Sequence, residues 1–113
     1  MLTALALLVS LAAEERVYKI GEDGVRAPRL VYRVEPEYSN AAREAQIDGV
    51  VLLSLEVTDQ GKPEKVAIVK GLEEALDRNA VAAVSQWKFA PATKRDGTAV
   101  RVKATIEVQF RHL

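Results

Sequence analysis

The chain has 113 residues, of which 49% are hydrophobic and 28% charged, as expected for one globular domain with a modest core. Sixteen basic residues balance sixteen acidic ones, which argues against a nucleic-acid-binding protein with its basic surface. The sequence lacks cysteine, which excludes disulfides, thiol catalysis and cysteine–zinc sites.

The chain starts with an apolar segment, "MLTALALLVSLAA" (1–13). A membrane-spanning helix needs about twenty apolar residues, so this run is too short. It has the length of the apolar region of a signal peptide, and Ser10 and Ala12 provide the small residues that precede a cleavage site. We therefore predict an exported protein, with a signal peptide or apolar segment at 1–13 and a domain at 14–113. A helix buried at the start of the domain is the alternative.

The next elements are short. "RVYKI" (16–20) alternates weakly and favours a short strand, and "APRLVYRVEP" (27–36) has prolines near both ends, which favour an extended chain. Ser39 or Asn40 is predicted to cap a short helix that ends near Gln46.

A hairpin and a second helix follow. "VVLLSLEVT" (50–58) and "EKVAIVK" (64–70) predict two strands joined by the loop "DQGKP". "LEEALDRNAVAAVSQWKF" (72–89) changes to helical spacing, with Asp77 as a candidate cap and Trp87 interpreted as a core anchor rather than a ligand-stacking group. The apolar stripe of this helix consists of Leu76, Ala80, Val84 and Trp87, or the neighbouring Ala83.

The clearest pattern is "AVRVKATIEVQFR" (99–111). Apolar and polar residues alternate along it, which predicts a strand with one buried and one exposed face. The apolar set is Val100, Val102, Ala104, Ile106, Val108 and Phe110, and the polar set is Arg101, Lys103, Thr105, Glu107, Gln109 and Arg111. The order of elements predicts an α+β fold, with a small antiparallel sheet of about three main strands and two helices packed on one face.

Catalytic signals are weak. No dinucleotide-binding, phosphate-binding or zinc-protease motif occurs, so no cofactor or metal is expected. The single histidine, His112, lies next to the C-terminus, where order is usually poor. Glu35 and Glu37 in "VEPEYS" are the best candidates for a pair of catalytic carboxylates, which would make the protein a small hydrolase. Solvated charges on an extended segment are the alternative, and we expect no enzyme activity.

Three stretches resemble a known family. "VEPEYSNAAREAQIDGVVLLSLEVTDQGKPEKVAIV", "LDRNAVAAVSQWKFAP" and "DGTAVRVKATIEVQF" are similar to the C-terminal domain of the energy transducer TonB, over roughly residues 28–111. The resemblance implies a periplasmic module that captures an extended peptide, the TonB box, from outer-membrane transporters and so supports energy-dependent nutrient uptake. It also implies indirect contact with the proton-channel subunits of the inner membrane.

The same resemblance implies where the peptide binds. The segment ahead of the first helix would be the first part of the surface, and the long last strand the second, with the peptide added as a further strand. The implied residues are Glu35, Pro36, Glu37, Tyr38, Val100, Arg101, Val102, Lys103, Ala104, Thr105, Ile106, Glu107, Val108, Gln109 and Phe110. A structural domain that forms a homodimer through this edge strand is the alternative function.

The sequence departs from the family pattern at two positions of the lead-in. Glu35 replaces a glutamine, and so exchanges a donor and acceptor for an anion that only accepts. Ser39 replaces a second proline. Full-length transducers carry an N-terminal membrane helix and a proline-rich spacer, which this sequence does not show. This leaves three interpretations: a free periplasmic domain, a truncated product, or a subunit that acts beside a full-length transducer.

Overall fold

The computed structural model describes residues 15–112, so the predicted signal peptide lies outside the described residues. The α+β fold is confirmed. Its elements are β1 (Val17–Lys19), β2 (Arg29–Tyr32), α1 (Asn40–Glu44), β3 (Gly49–Val57), β4 (Pro63–Lys70), α2 (Glu74–Val84), β5 (Lys88–Ala90), β6 (Ala92–Thr93) and β7 (Ala99–Phe110). In this part of the chain no helix is both long and apolar enough to cross a membrane.

The main sheet has the strand order β1-β7-β3-β4. The three long strands are antiparallel, as predicted, and β3 and β7 pair without interruption from Gly49 opposite Phe110 to Val57 opposite Val102. The short strand β1 runs parallel to β7, which makes the complete sheet mixed. The sequence predicted β1 as a strand but gave no indication of its partner.

The core lies between one face of this sheet and the helices. The alternating residues of β3 are buried, as are Val102 and Val108 of β7, and helix α2 covers them with the predicted stripe. The largest fully buried side chains are Leu53, Leu55, Leu76, Val51, Val57, Val84, Val102 and Val108. The alternation read from the sequence therefore identified the buried faces of both long strands.

Helix α1 begins as predicted, because the Ser39 hydroxyl accepts a hydrogen bond from the Ala42 N–H at 3.1 Å. The predicted cap of helix α2, Asp77, is wrong. Its N-cap is Glu73, whose carboxylate accepts from the Leu76 N–H at 2.9 Å. Asp77 lies inside the helix and reaches back to accept from the Leu72 N–H at 2.7 Å.

The predicted helix over 72–89 is too long at its C-terminal end. Helix α2 ends at Val84, and after a turn the chain forms β5, which pairs antiparallel with β2. The Phe89 N–H also donates to the carbonyl of Gly61, in the hairpin loop, at 3.0 Å. Pairing with distant segments therefore outweighs local helix propensity at this position.

Candidate partner-binding site

The predicted receiving strand, β7, has two sides with different neighbours. Its inner side is paired with β3. On its outer side, β1 pairs with residues 101–103, and at the start of the strand Ala99 and Val100 pair with β6. From Ala104 to Phe110, no strand within residues 15–112 pairs with the outer side. We call Ala104–Phe110 the open edge.

The open edge covers only part of Val100–Phe110, the strand segment that the sequence analysis predicted to bind the partner. Val102 and Lys103 are paired on both sides, with β3 and with β1. Arg101 pairs with β1 and Val100 with β6, whereas the remaining seven predicted residues of this strand form the open edge. Within β7, the open edge can receive a further strand without rearrangement, because its outward backbone groups have no partner strand in the described chain.

The two faces of the open edge differ in polarity. Ala104 and Ile106 on the core face are only half-buried, so apolar surface continues to the margin of the sheet. Thr105, Glu107 and Gln109 on the other face are exposed. A strand added here would therefore meet apolar neighbours on one face and polar neighbours on the other.

The lead-in, Val34–Tyr38, is fixed through its backbone to helix α2 and to Trp87, which follows the helix. The indole N–H of Trp87 donates to the Val34 carbonyl at 2.8 Å, and the side-chain amide of Asn79 donates to the Glu37 carbonyl at 2.8 Å. The two donors lie eight residues apart in sequence. The sequence analysis did not identify Asn79, because an asparagine on a helix gives no local sign of a partner 42 residues away.

The side chains of the lead-in border a shallow groove of about 290 Å³ beside α2. The groove is lined by Val34, Glu35, Pro36, Glu37, Asn79, Ala82, Ala83 and Gln86. Glu35 accepts a hydrogen bond from Arg33 at 2.9 Å and its side chain is 76% exposed. A pair of catalytic carboxylates needs one desolvated member, and Glu35 is too exposed to be that member.

Tyr38 joins the lead-in to the open edge. Its hydroxyl donates to the Ile47 carbonyl, and its ring packs edge-on against Phe110 with centroids 5.7 Å apart. Partial desolvation, followed by the negative charge of Asp48, raises the pKa of Tyr38 above its ordinary value. The phenol therefore remains a protonated donor at neutral pH. The contact of Tyr38 with Phe110 thus brings the two parts of the predicted surface together.

His112 fixes the chain just beyond the open edge, in contrast to the poorly ordered tail that its position predicts. Its backbone N–H donates to a carboxylate oxygen of Asp48 at 2.8 Å, and its ring Nδ1 lies 2.6 Å from the same oxygen. These two hydrogen bonds, the ring contact first, lower the pKa of Asp48 below its usual value. Because Asp48 directly precedes β3, the contact closes the end of the β3–β7 ladder.

Trp87 is 5% exposed, which confirms the prediction of a core anchor. Its outer margin also borders a larger groove, of about 710 Å³, between the β2–β5 ribbon and the hairpin loop. Val31, Tyr32 and Phe89 provide apolar surface there. The sequence analysis did not predict this groove, since it depends on the pairing of β5 with β2.

Comparisons with known proteins are consistent with this fold. The family model described as the C-terminal domain of the Gram-negative bacterial TonB protein matches residues 34–112. Protein TonB of Vibrio cholerae is 35% identical over 89 residues, which cover 77% of this chain and 36% of that protein. Protein tonB2 of Pseudomonas aeruginosa is 40% identical over 62 residues, or 54% of this chain and 23% of that protein.

A solved structure shows the same fold. The solution NMR structure of the TonB C-terminal domain of Pseudomonas aeruginosa superimposes with a TM-score of 0.54 at 14% identity, and the match covers 81% of this chain and 92% of that one. The chain spans about a third of the length of the Vibrio cholerae relative. With the family model matching most of its length, this chain belongs to the family of Gram-negative bacterial TonB C-terminal domains.

Proposed function

We propose that this domain is a periplasmic, non-enzymatic binding module that captures the TonB-box peptide of an outer-membrane transporter by strand addition. The observation that carries the proposal is the open edge, Ala104–Phe110, in a domain of this family. Through its transporter, the complex would support energy-dependent uptake, with the proton-channel subunits of the inner membrane as indirect partners.

Strand addition uses the chemistry that the open edge offers. The backbone N–H and C=O groups on the outer side of β7 would bond to the peptide backbone and provide affinity. The half-buried Ala104 and Ile106 would contact apolar side chains of the peptide, and Tyr38 would border the end of the bound strand at Phe110. Glu35, Pro36 and Glu37 would contact peptide residues that extend past the strand towards α2.

The first test compares two substitutions at Thr105, an exposed residue of the open edge. Thr105→Pro removes a backbone N–H and disrupts a paired ladder, whereas Thr105→Ala keeps the backbone. We expect Thr105→Pro to weaken binding of transporter N-terminal peptides, measured by isothermal titration, far more than Thr105→Ala does. Circular dichroism and a thermal melt must first show that both variants are folded.

Equal affinities of the two folded variants would show that this stretch of backbone does not receive the peptide. The alternative, a homodimer formed through the same edge, predicts another result. Thr105→Pro would then change the molecular mass measured by sedimentation, and added peptide would not.

Hydrogen exchange locates the binding site without any substitution. Peptide should slow the exchange of outward-facing amides in Ala104–Phe110. The other edge of the sheet, β4, serves as the internal control because no strand within residues 15–112 pairs with its outer side either. Protection of β4 amides with no change in β7 would place the peptide on the wrong edge and contradict the proposal.

A further inference from the structure

β1 lies on the outer side of β7 and ends where the open edge begins. Val17 is opposite Arg101, and Lys19 is opposite Lys103. The next residue of β7, Ala104, is the first of the open edge. An added strand longer than the open edge would therefore collide with β1 or displace it.

The pairing of β1 with β7 is weak. β1 has three residues, and two of its side chains, Val17 and Lys19, are exposed. Lys19 is directly opposite Lys103, and like charges at opposed positions of neighbouring strands are destabilising. Tyr18 is only partly buried where it packs against the core.

The main ionic attachment of β1 is the contact of Glu15 with Arg101, at 3.2 Å. Arg101 does not depend on it, because Glu56 and Glu64 lie within 3.0 and 2.9 Å of its guanidinium. The Glu15 side chain is 46% exposed, so this ion pair is weak and screened by salt. Arg101 would keep two carboxylate partners if β1 left.

The turn that follows β1 is the point about which β1 could move away from β7. Gly21 and Gly24 have φ values of +90° and +76°, and they form a tight turn around Glu22 and Asp23. Arg16 pairs with both acids of this turn, at 3.0 and 3.4 Å. The arm from Arg16 to Gly24 therefore carries its own ion pairs, and its turn is held to Val25 by two backbone hydrogen bonds, from the Gly21 N–H to the Val25 carbonyl at 2.8 Å and from the Val25 N–H to the Glu22 carbonyl at 2.9 Å.

Beyond the turn, the chain is fixed. Val25 is 3% exposed in the core, and the Arg26 N–H donates to the Thr93 carbonyl at 2.9 Å. β1 can thus leave β7 by a movement about this turn that leaves Val25 and Arg26 in place, and the movement withdraws the partly buried Tyr18 from the core.

We propose that β1 is a displaceable internal strand that competes with the partner peptide for the outer side of β7. The proposal rests on the proposed function, since it concerns the same edge. With β1 paired, the receptor is Ala104–Phe110. With β1 released, it extends to Arg101–Phe110. For a peptide that needs the longer edge, the apparent affinity is then the intrinsic affinity multiplied by the fraction of molecules in which β1 is released.

A reversible disulfide tests the proposal in the full chain. Lys19→Cys with Lys103→Cys places two thiols at paired positions of neighbouring parallel strands, whose spacing of about 4.8 Å lies within the range of Cα separations that a disulfide spans. The chain has no other cysteine, so the only disulfide that can form within one molecule is the one that locks β1 onto β7, and gel filtration of the oxidised protein removes linked dimers. The probes are synthetic N-terminal peptides of outer-membrane transporters from Vibrio cholerae and Pseudomonas aeruginosa.

We expect the reduced double variant to bind these peptides at least about tenfold more tightly than the oxidised one. The control is the Lys19→Cys single variant, whose affinity should be unaffected by reductant. Measurable but equal binding by the two redox forms would overturn this proposal and leave the proposed function standing. Failure of the folded reduced form and of the wild type to bind any peptide would overturn both.

A second pair of variants tests the same competition through charge alone. Lys19→Glu places a carboxylate opposite Lys103 and should strengthen β1, whereas Lys19→Gln only removes the repulsion. We expect peptide affinity to fall in the order wild type, Lys19→Gln, Lys19→Glu. We also expect the amides of β1 to exchange more slowly in the same order. Amides of wild-type β1 that exchange as slowly as those of β3 would show a strand that does not open, and would overturn the proposal without any ligand.

Discussion

At the scale of single residues, Trp87 connects the core to the lead-in. Its ring is 5% exposed, and its indole N–H donates to the Val34 carbonyl. Its ring therefore fills part of the core, and its indole N–H holds the segment that leads into helix α1.

Substitution of Trp87 separates these two contributions. Trp87→Ala should lower the free energy of unfolding by about 3–5 kcal/mol, because it leaves a large cavity. Trp87→Phe should lower the free energy of unfolding by less, about 1–3 kcal/mol. Phenylalanine keeps most of the buried area, and the loss comes from the Val34 carbonyl, which is left without its donor. Urea melts measure both, and a loss below about 1 kcal/mol for Trp87→Ala would contradict the observed burial.

Asp48 makes the stability of the domain depend on pH in the acid range. Its pKa is lowered by the hydrogen bonds from His112, so its folded-state value lies below the unfolded value of about 3.9. The stabilisation is thus present above about pH 4 and is lost as pH falls through the folded-state pKa. Asp48→Asn should be less stable than wild type at pH 6, and the difference should shrink as the pH is lowered below about 4.

Thermal melts from pH 6 to pH 3 measure this change, with Asp59→Asn in the exposed hairpin loop as the control for simple loss of charge. A difference between Asp48→Asn and wild type that stays constant over the whole range would rule out the carboxylate of Asp48 as its source.

At the scale of elements, the hairpin loop between β3 and β4 decides where helix α2 can end. Gly61 has φ +82°, and a Cβ at this position would overlap the carbonyl oxygen of Phe89. The Phe89 N–H bonds to the Gly61 carbonyl. Backbone of the loop and backbone of β5 are therefore in direct contact, which leaves no space for a side chain.

Two glycine substitutions test this contact. Gly97 has a similar φ of +89°, but a methyl group added there would have no neighbour within 4 Å, so Gly97→Ala should cost only the strain of a positive φ, about 1–2 kcal/mol. Gly61→Ala should cost about 2–5 kcal/mol, because overpacking is added to the same strain. Equal losses in urea melts would mean that β5 moves away from the loop at little cost.

At the scale of the whole molecule, the two edges of the main sheet are built differently. β4 begins at Pro63, has two irregularities in its pairing with β3, and carries Lys65 and Lys70. These features discourage edge-to-edge association. Ile68 and Val69 are nevertheless 46% and 57% exposed, so the protection depends on the charges and irregularities around them.

Removal of one charge should therefore cause self-association at β4. Lys70→Val extends the exposed apolar run of Ile68 and Val69, and we expect its weight-average mass in sedimentation to rise with protein concentration. Arg78→Val, on the exposed surface of α2, loses the same charge away from any edge and should remain like wild type. Association of both variants to the same extent would indicate a general effect of net charge rather than an exposed edge.

The sequence by itself determined the elements that depend on local patterns. Alternation identified the buried faces of β3 and β7, Ser39 marked the start of α1, and the positions of the three stretches indicated the family. These signals are local, because the faces of a strand and the cap of a helix depend on residues close in the chain.

The tertiary structure alone decided which edges are covered. Periodicity shows which side chains of β7 are buried, but it cannot show that β1 pairs with Arg101–Lys103 and stops before Ala104. Periodicity likewise cannot show that α2 ends at Val84, because this end depends on the pairing of β5 with β2, which joins distant segments of the chain. The physical reason is that backbone hydrogen bonds across a sheet are nearly independent of side-chain identity, so the sequence specifies faces more strongly than neighbours.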